Sequence, residues 1–165
     1  MRFLGRLVLA ALGLVLAIPA GAGALTLLLV VDPTAQGWLL GGALAGLDAV
    51  LPDLAAGLAP ETMLIALAGL AQALFVLLVL PPFLVALVGE TLGWRGLPWY
   101  GGACGLLTAA LPWLVRGAPR PGGPAERLAA EAHLTGILLL AGAAAGLVYW
   151  LVAGRSAGTD PTPRS

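Results

Sequence analysis

The 165-residue chain is 60% hydrophobic and only 10% charged, with eight basic residues, all Arg, balanced against eight acidic ones. A soluble domain needs roughly a quarter of its residues charged, so a water-soluble fold is excluded, and the neutral balance removes the basic surface that nucleic-acid binding requires. One Cys and one His cannot assemble a multi-Cys/His zinc site, so no metal and no cofactor is called for, and Cys104 reads as a small packing residue.

The apolar residues come in long runs, the pattern of an all-α transmembrane helical bundle. Lys and Asn are absent while Ala, Gly, Leu and Pro abound, a composition that GC-rich bacterial genomes encode. Arg2 and Arg6 precede a first span at 7–31, longer than the roughly 20 residues that cross a bilayer. The small residues at 20–24 resemble a signal-peptide cleavage site, but the apolar run continues to Val31, so an uncleaved anchor is expected. Residues 36–59 are different: Asp48, Pro52 and Asp53 interrupt the apolar segment, while Leu40, Leu44, Leu47, Leu51, Leu54 and Leu58 form one helical stripe with Asp53 opposite it and Asp48 at its edge. A carboxylate at the bilayer centre costs about 2.5–3.5 kcal/mol, so this segment is expected to be an interfacial helix, broken near Pro52.

A second span is expected at 62–88, where Gln72 is the only strongly polar residue and Pro81-Pro82 should kink or end the helix. Glu90 and Arg95 then bracket a short turn, either as an ion pair or as two solvated charges. The third span, 97–115, has Trp99, Tyr100 and Trp113 near its ends, matching the aromatic belts at membrane interfaces. An Arg/Pro/Gly loop follows, then a short polar helix from Pro124, with Arg127 and Glu131 four apart. It leads into a fourth span, 133–152, that ends in Tyr149 and Trp150. The tail, 154–165, lacks apolar pattern and is expected to be disordered.

Four spans put both termini on one side. Placing that side in the cytoplasm collects Arg2, Arg6, Arg95, Arg155 and Arg164 there, against Arg116, Arg120 and Arg127 outside. A fifth span at 37–58 gives the same five-to-three split, so the positive-inside rule does not choose. The desolvation cost of Asp48 and Asp53 selects four spans with both termini cytoplasmic.

Small residues recur at four-residue spacing in three spans: Gly13, Ala17 and Gly21; Gly101, Gly105 and Ala109; Gly142 and Gly146. Apolar surface gives no drive for association in lipid, so close backbone approach at small residues becomes the route to helix packing. Packing within the bundle is preferred to a homodimer seam. Gln72 reads as a hydrogen-bonding contact across the bundle, with a substrate contact as the sharper alternative. His133, at the start of span four, reads as an interfacial structural residue, with a titrating or haem-ligand role as the alternative. Neither a nucleophile elbow nor a phosphate-binding Gly loop is present, so no enzyme activity is expected.

Two stretches, Glu90-Thr91-Leu92-Gly93-Trp94-Arg95 continuing to Tyr100-Gly101-Gly102, and Tyr149-Trp150-Leu151-Val152-Ala153-Gly154-Arg155-Ser156-Ala157-Gly158, resemble uncharacterised small four-span inner-membrane proteins of alphaproteobacteria. The resemblance covers the C-terminal half and consists of interface and packing residues. It implies a compartment, the bacterial inner membrane, and no catalytic residue. The resulting expectation is a non-enzymatic structural, accessory or interaction role, with a membrane-protein partner or self-association in the lipid bilayer. A small transporter or channel is the alternative, and a haem- or quinone-associated membrane anchor the third reading.

Overall fold

The computed structural model describes residues 2–57, 59–94, 96–117 and 125–154. Among them every regular element is helical: α1 (Arg2–Val31), α2 (Pro33–Ala55), α3 (Ala59–Leu92), a π-helical segment (Pro98–Ala103) running straight into α4 (Cys104–Arg116), and α5 (Ala125–Tyr149), closed by a second π-helical segment (Trp150–Gly154). Three helices are long and apolar enough to cross a membrane: Leu4–Val31, Met63–Leu92 and Leu128–Gly154. The chain is thus an all-α protein with the helices of a membrane bundle. The polar lead-in expected before span four and that span itself form one helix, because nothing between Ala125 and Tyr149 removes a backbone donor.

Helix α5 is the centre, packed chiefly against α1 on one side and α4 on the other. Both seams are antiparallel. Along α1, Gly13 faces Tyr149 and Ala153 while Gly21 faces Ala141 and Ala145; along α4, Gly105 faces Leu139 and Ala143. The α4–α5 approach is close enough that a methyl group at Gly142 would strike the Thr108 hydroxyl, and one at Gly146 the Tyr100 carbonyl oxygen. These glycines bring backbone against backbone, the mode of association available to helices in lipid.

Arg6 of α1 meets Glu90 of α3, so α3 also runs antiparallel to α1, and the helix order α1, α3, α4, α5 is up, down, up, down. One end of the bundle, called the aromatic end below, carries Arg6, Glu90, Tyr100 and Tyr149; the other carries Asp32 and His133. Two buried clusters stack between them. One gathers Ala17, Val85, Tyr100, Cys104, Ala145 and Tyr149, and the other Leu25, Ala35, Ala109, Ile137, Leu138 and Ala141.

One expectation needs correction and another is narrowed. The expected break at Pro52 does not occur: α2 runs through it to Ala55 and ends at a turn where Gly57 takes φ +75°. The proline withholds a single amide bond, and the helix needs only one turn beyond it. Of the kink or end expected at Pro81-Pro82, the end does not occur: α3 continues ten residues further. Both prolines are buried, so their rings fill the inter-helix space, while they supply no N–H to the carbonyls of Leu77 and Leu78. Helix α3 ends instead at Gly93, φ +66°, where the Trp94 amide donates to the Gly89 carbonyl at 3.0 Å, a left-handed glycine cap.

Helix α2 starts beside His133 and joins, through a short turn, the end of α3 remote from Glu90. Both ends of α2 therefore lie on the Asp32 side, and the helix does not traverse the bundle. Its stripe of Leu40, Leu44, Leu47 and Leu51 is exposed, as is Asp48. The side chain of Asp53 and the segments 118–124 and 155–165, including most of the expected tail, lie outside the described residues.

Candidate functional site

Polar groups are scarce in this bundle, so the places where they gather are informative. At the aromatic end the Arg6 guanidinium donates to the Glu90 carboxylate at 2.8 Å, joining α1 to α3 across 84 residues of sequence. Glu90 is half-buried and Arg6 exposed. Glu90 was expected either to pair with Arg95 or to stand alone, and the described partner is Arg6; Arg95 lies outside the described residues.

Immediately beneath this pair sit two tyrosines. Tyr100 lies in the first π-helical segment and Tyr149 directly precedes the second, with ring centroids 5.3 Å apart and planes tilted by 30°. A π-helical turn widens the helix and re-aims the side chains beside it, and such turns recur at functional sites. Tyr149 is 1% exposed, packs its ring on Gly13, and its hydroxyl has no hydrogen-bond partner among the described residues. A buried hydroxyl without a partner costs on the order of 1–3 kcal/mol, so this atom calls for an explanation. Trp94 and Trp99 meet edge to face at 4.4 Å beside it, and the Trp99 indole N–H reaches the Val85 carbonyl at 3.4 Å.

Between α1 and α3 a groove of about 410 Å³ opens sideways from this end, lined by Leu7, Ala10, Leu14, Phe83, Leu87 and Tyr149 with Glu90 at its polar extremity. It is apolar along its length and polar only there.

The opposite end holds the second polar contact. Asp32 separates α1 from α2, and its Oδ1 accepts the amides of Thr34 at 2.8 Å and Ala35 at 3.0 Å, capping α2. Its Oδ2 lies 2.5 Å from His133 Nε2 of α5. The amide of Ala35 above all, with the His133 ring and the Thr34 amide adding to it, holds the Asp32 carboxyl below its ordinary value of 3.8 against a smaller opposing effect of burial. His133 thereby ties the first turn of α2 to the bundle. Sequence offered a signal for the cap, since Asp followed by Pro at the first helical position is a helix start; it offered none for the pairing across 101 residues.

Gln72 occupies a third place. It is exposed on the half of α3 that parts from the bundle, and with Gly69, Ala73, Val76, Leu111, Pro112 and Val115 it lines a groove of about 530 Å³ between α3 and α4. No side-chain hydrogen bond crosses from it to another helix among the described residues. The glycines singled out for packing lie in the α1–α5 and α4–α5 seams, with Gly13 against Tyr149 and Gly146 against Tyr100 bordering the aromatic end, and Gly101 makes the loosest approach, 3.9 Å from a would-be methyl to the Ala143 carbonyl.

The described residues contain no cluster of three or more metal-ligating side chains. Comparison with protein-family models, characterised proteins and solved structures returns no match for this chain.

Proposed function

We propose that this chain is a four-crossing protein of a bacterial inner membrane with both termini cytoplasmic, serving a non-enzymatic accessory role in which the α3–α4 face receives a transmembrane helix of a partner protein. The observation that carries the reading is the groove around Gln72. Helix α3 leaves the bundle there, and Gly69 is so open that an added methyl would meet nothing within 4 Å. Gly69 and Ala73 form a small-residue pair one turn apart, the surface on which a second helix approaches closely. The amide of Gln72 lies between them on the same exposed face. A hydrogen bond from it to an entering helix contributes about 0.6–2 kcal/mol.

The fourth crossing in this reading is the first π-helical segment with α4, whose 6 and 13 residues reach roughly 28 Å at 1.5 Å per residue, close to the thickness of the hydrocarbon core. Helix α2 lies along the interface on the Asp32 side, with its stripe of Leu40, Leu44, Leu47 and Leu51 in the lipid and Asp48 toward water.

The test is copurification from the native membrane in mild detergent, followed by mass spectrometry, for the wild type and Gly69→Ile. One protein recovered in stoichiometric amount with the wild type and lost with Gly69→Ile is the expected result. A monodisperse chain without partner after gentle crosslinking overturns the accessory reading. Uptake or conductance in liposomes that disappears in Gln72→Ala or Asp48→Ala would establish the small transporter or channel instead.

A further inference from the structure

We infer that the groove between α1 and α3 is a binding site for one zwitterionic glycerophospholipid, held with its head at the Arg6–Glu90 pair and one acyl chain along the groove. The inference rests on residence in a bilayer and is independent of any partner at the α3–α4 face.

Three observations converge on it. The groove is apolar from Leu14 and Phe83 up to Leu7 and Leu87, a distance of about 10 Å along α1, and a hydrocarbon chain matches that lining. Its polar extremity is lined by the anion Glu90, and the cation Arg6 stands just outside it, 2.8 Å from Glu90, both keeping exposed surface, 51% for Arg6 and 29% for Glu90. A phosphate beside the guanidinium and an ammonium beside the carboxylate complement this pair in sign and spacing, with Arg presenting the donor fork that phosphate oxygens accept. A head bearing only negative charge meets Arg6 favourably but is repelled by Glu90.

The third observation is the Tyr149 hydroxyl, buried and without a partner among the described residues, on a side chain that lines the same groove. The ester carbonyls of a glycerophospholipid sit just below the phosphate, at the depth where the head gives way to the chains. One of them accepts the hydrogen bond that the Tyr149 O–H lacks. The ligand thus satisfies all three features: chain to groove, head to ion pair, carbonyl to hydroxyl.

The experiment uses the full chain in nanodiscs of equal parts phosphatidylethanolamine and phosphatidylglycerol, released into the gas phase for native mass spectrometry, with the retained lipid counted and identified. The wild type is expected to keep one phosphatidylethanolamine in preference to phosphatidylglycerol. Tyr149→Phe preserves the ring and removes the hydroxyl, and retention should fall about tenfold, the worth of one well-made hydrogen bond. Glu90→Gln should abolish the preference between the two lipids. Should Tyr149→Phe fail to assemble, Ala11→Phe decides the matter, because it obstructs the groove from an exposed position and leaves the polar extremity intact. Loss of the lipid in Ala11→Phe supports the site. Retention unchanged in either variant, equal retention of both lipids by the wild type, or recovery of an isoprenoid quinone in place of a phospholipid overturns it.

Discussion

The spans Leu128–Gly154, in α5 and the π-helical segment that closes it, and Met63–Leu92, in α3, have 27 and 30 residues and are both strongly apolar, yet they are used in opposite ways. In the most apolar stretch of α5, 44% of residues are buried inside the protein, whereas none are in the corresponding stretch of α3. The difference does not follow from hydrophobicity, which is high in both. It follows from where glycine meets a neighbour: Gly142 and Gly146 lie against the backbone of the adjoining helix, while Gly69 lies against open space. In a bilayer apolar surface is neutral between lipid and protein, so the fit of backbones decides which faces close and which stay open.

The sharpest way to break that comparison is to put the same methyl group on both helices. Gly146→Ala drives a Cβ into the Tyr100 carbonyl and is expected to destabilise the bundle by about 1–3 kcal/mol, the usual range for overpacking, read as a fall in the unfolding midpoint in mixed micelles. A larger side chain there, Gly146→Leu, should prevent assembly. Breaking the Arg6–Glu90 pair with Glu90→Gln tests whether charge or packing joins α1 to α3. Because Arg6 is largely exposed, the expected loss is about 1 kcal/mol or less, and a larger one would mean that the ion pair carries the contact. Gly69→Ala on the open helix should leave the midpoint unchanged or raise it by up to about 1 kcal/mol through helix propensity; a clear decrease would show that this face is packed after all.

The smallest effect expected is local. Asp32 has its carboxyl held below 3.8, so its cap and its contact with His133 stabilise the start of α2 above that pH and are lost as pH falls through the lower folded value. Hydrogen exchange should report loosening of the first turn of α2 only under such acid conditions. Asp32→Ala should produce the same loosening at neutral pH, with exchange along the α1–α5 seam unaffected.

The helical, membrane-suited character of the protein is legible in its sequence because a run of 20 or more apolar residues has few other uses. The leucine stripe of α2 is legible for a similar reason, being a local periodicity. The polar contacts are not. Arg6 finds Glu90 across 84 residues and Asp32 finds His133 across 101, and no local pattern encodes partners that only the antiparallel order brings together. Small-residue spacing is legible as a tendency but does not name the neighbour: Gly69 and Ala73 share the spacing of Gly142 and Gly146 without sharing their packing. Tyr149 reads in sequence as one more interfacial aromatic. Its buried hydroxyl emerges only once Gly13, Tyr100 and the π-helical turn enclose the ring.

The paired prolines of α3 have a mechanical meaning. With no amide to offer the carbonyls of Leu77 and Leu78, the helix is a stiff rod with a soft joint, placed where it leaves its neighbours. The segment from Met63 to Leu77, about 21 Å long, contains no buried residue, and it would be the part of α3 to pivot at that joint. Motion transmitted by a neighbouring protein would be absorbed at the joint, and the ion pair and tyrosines beyond it would be insulated from that displacement.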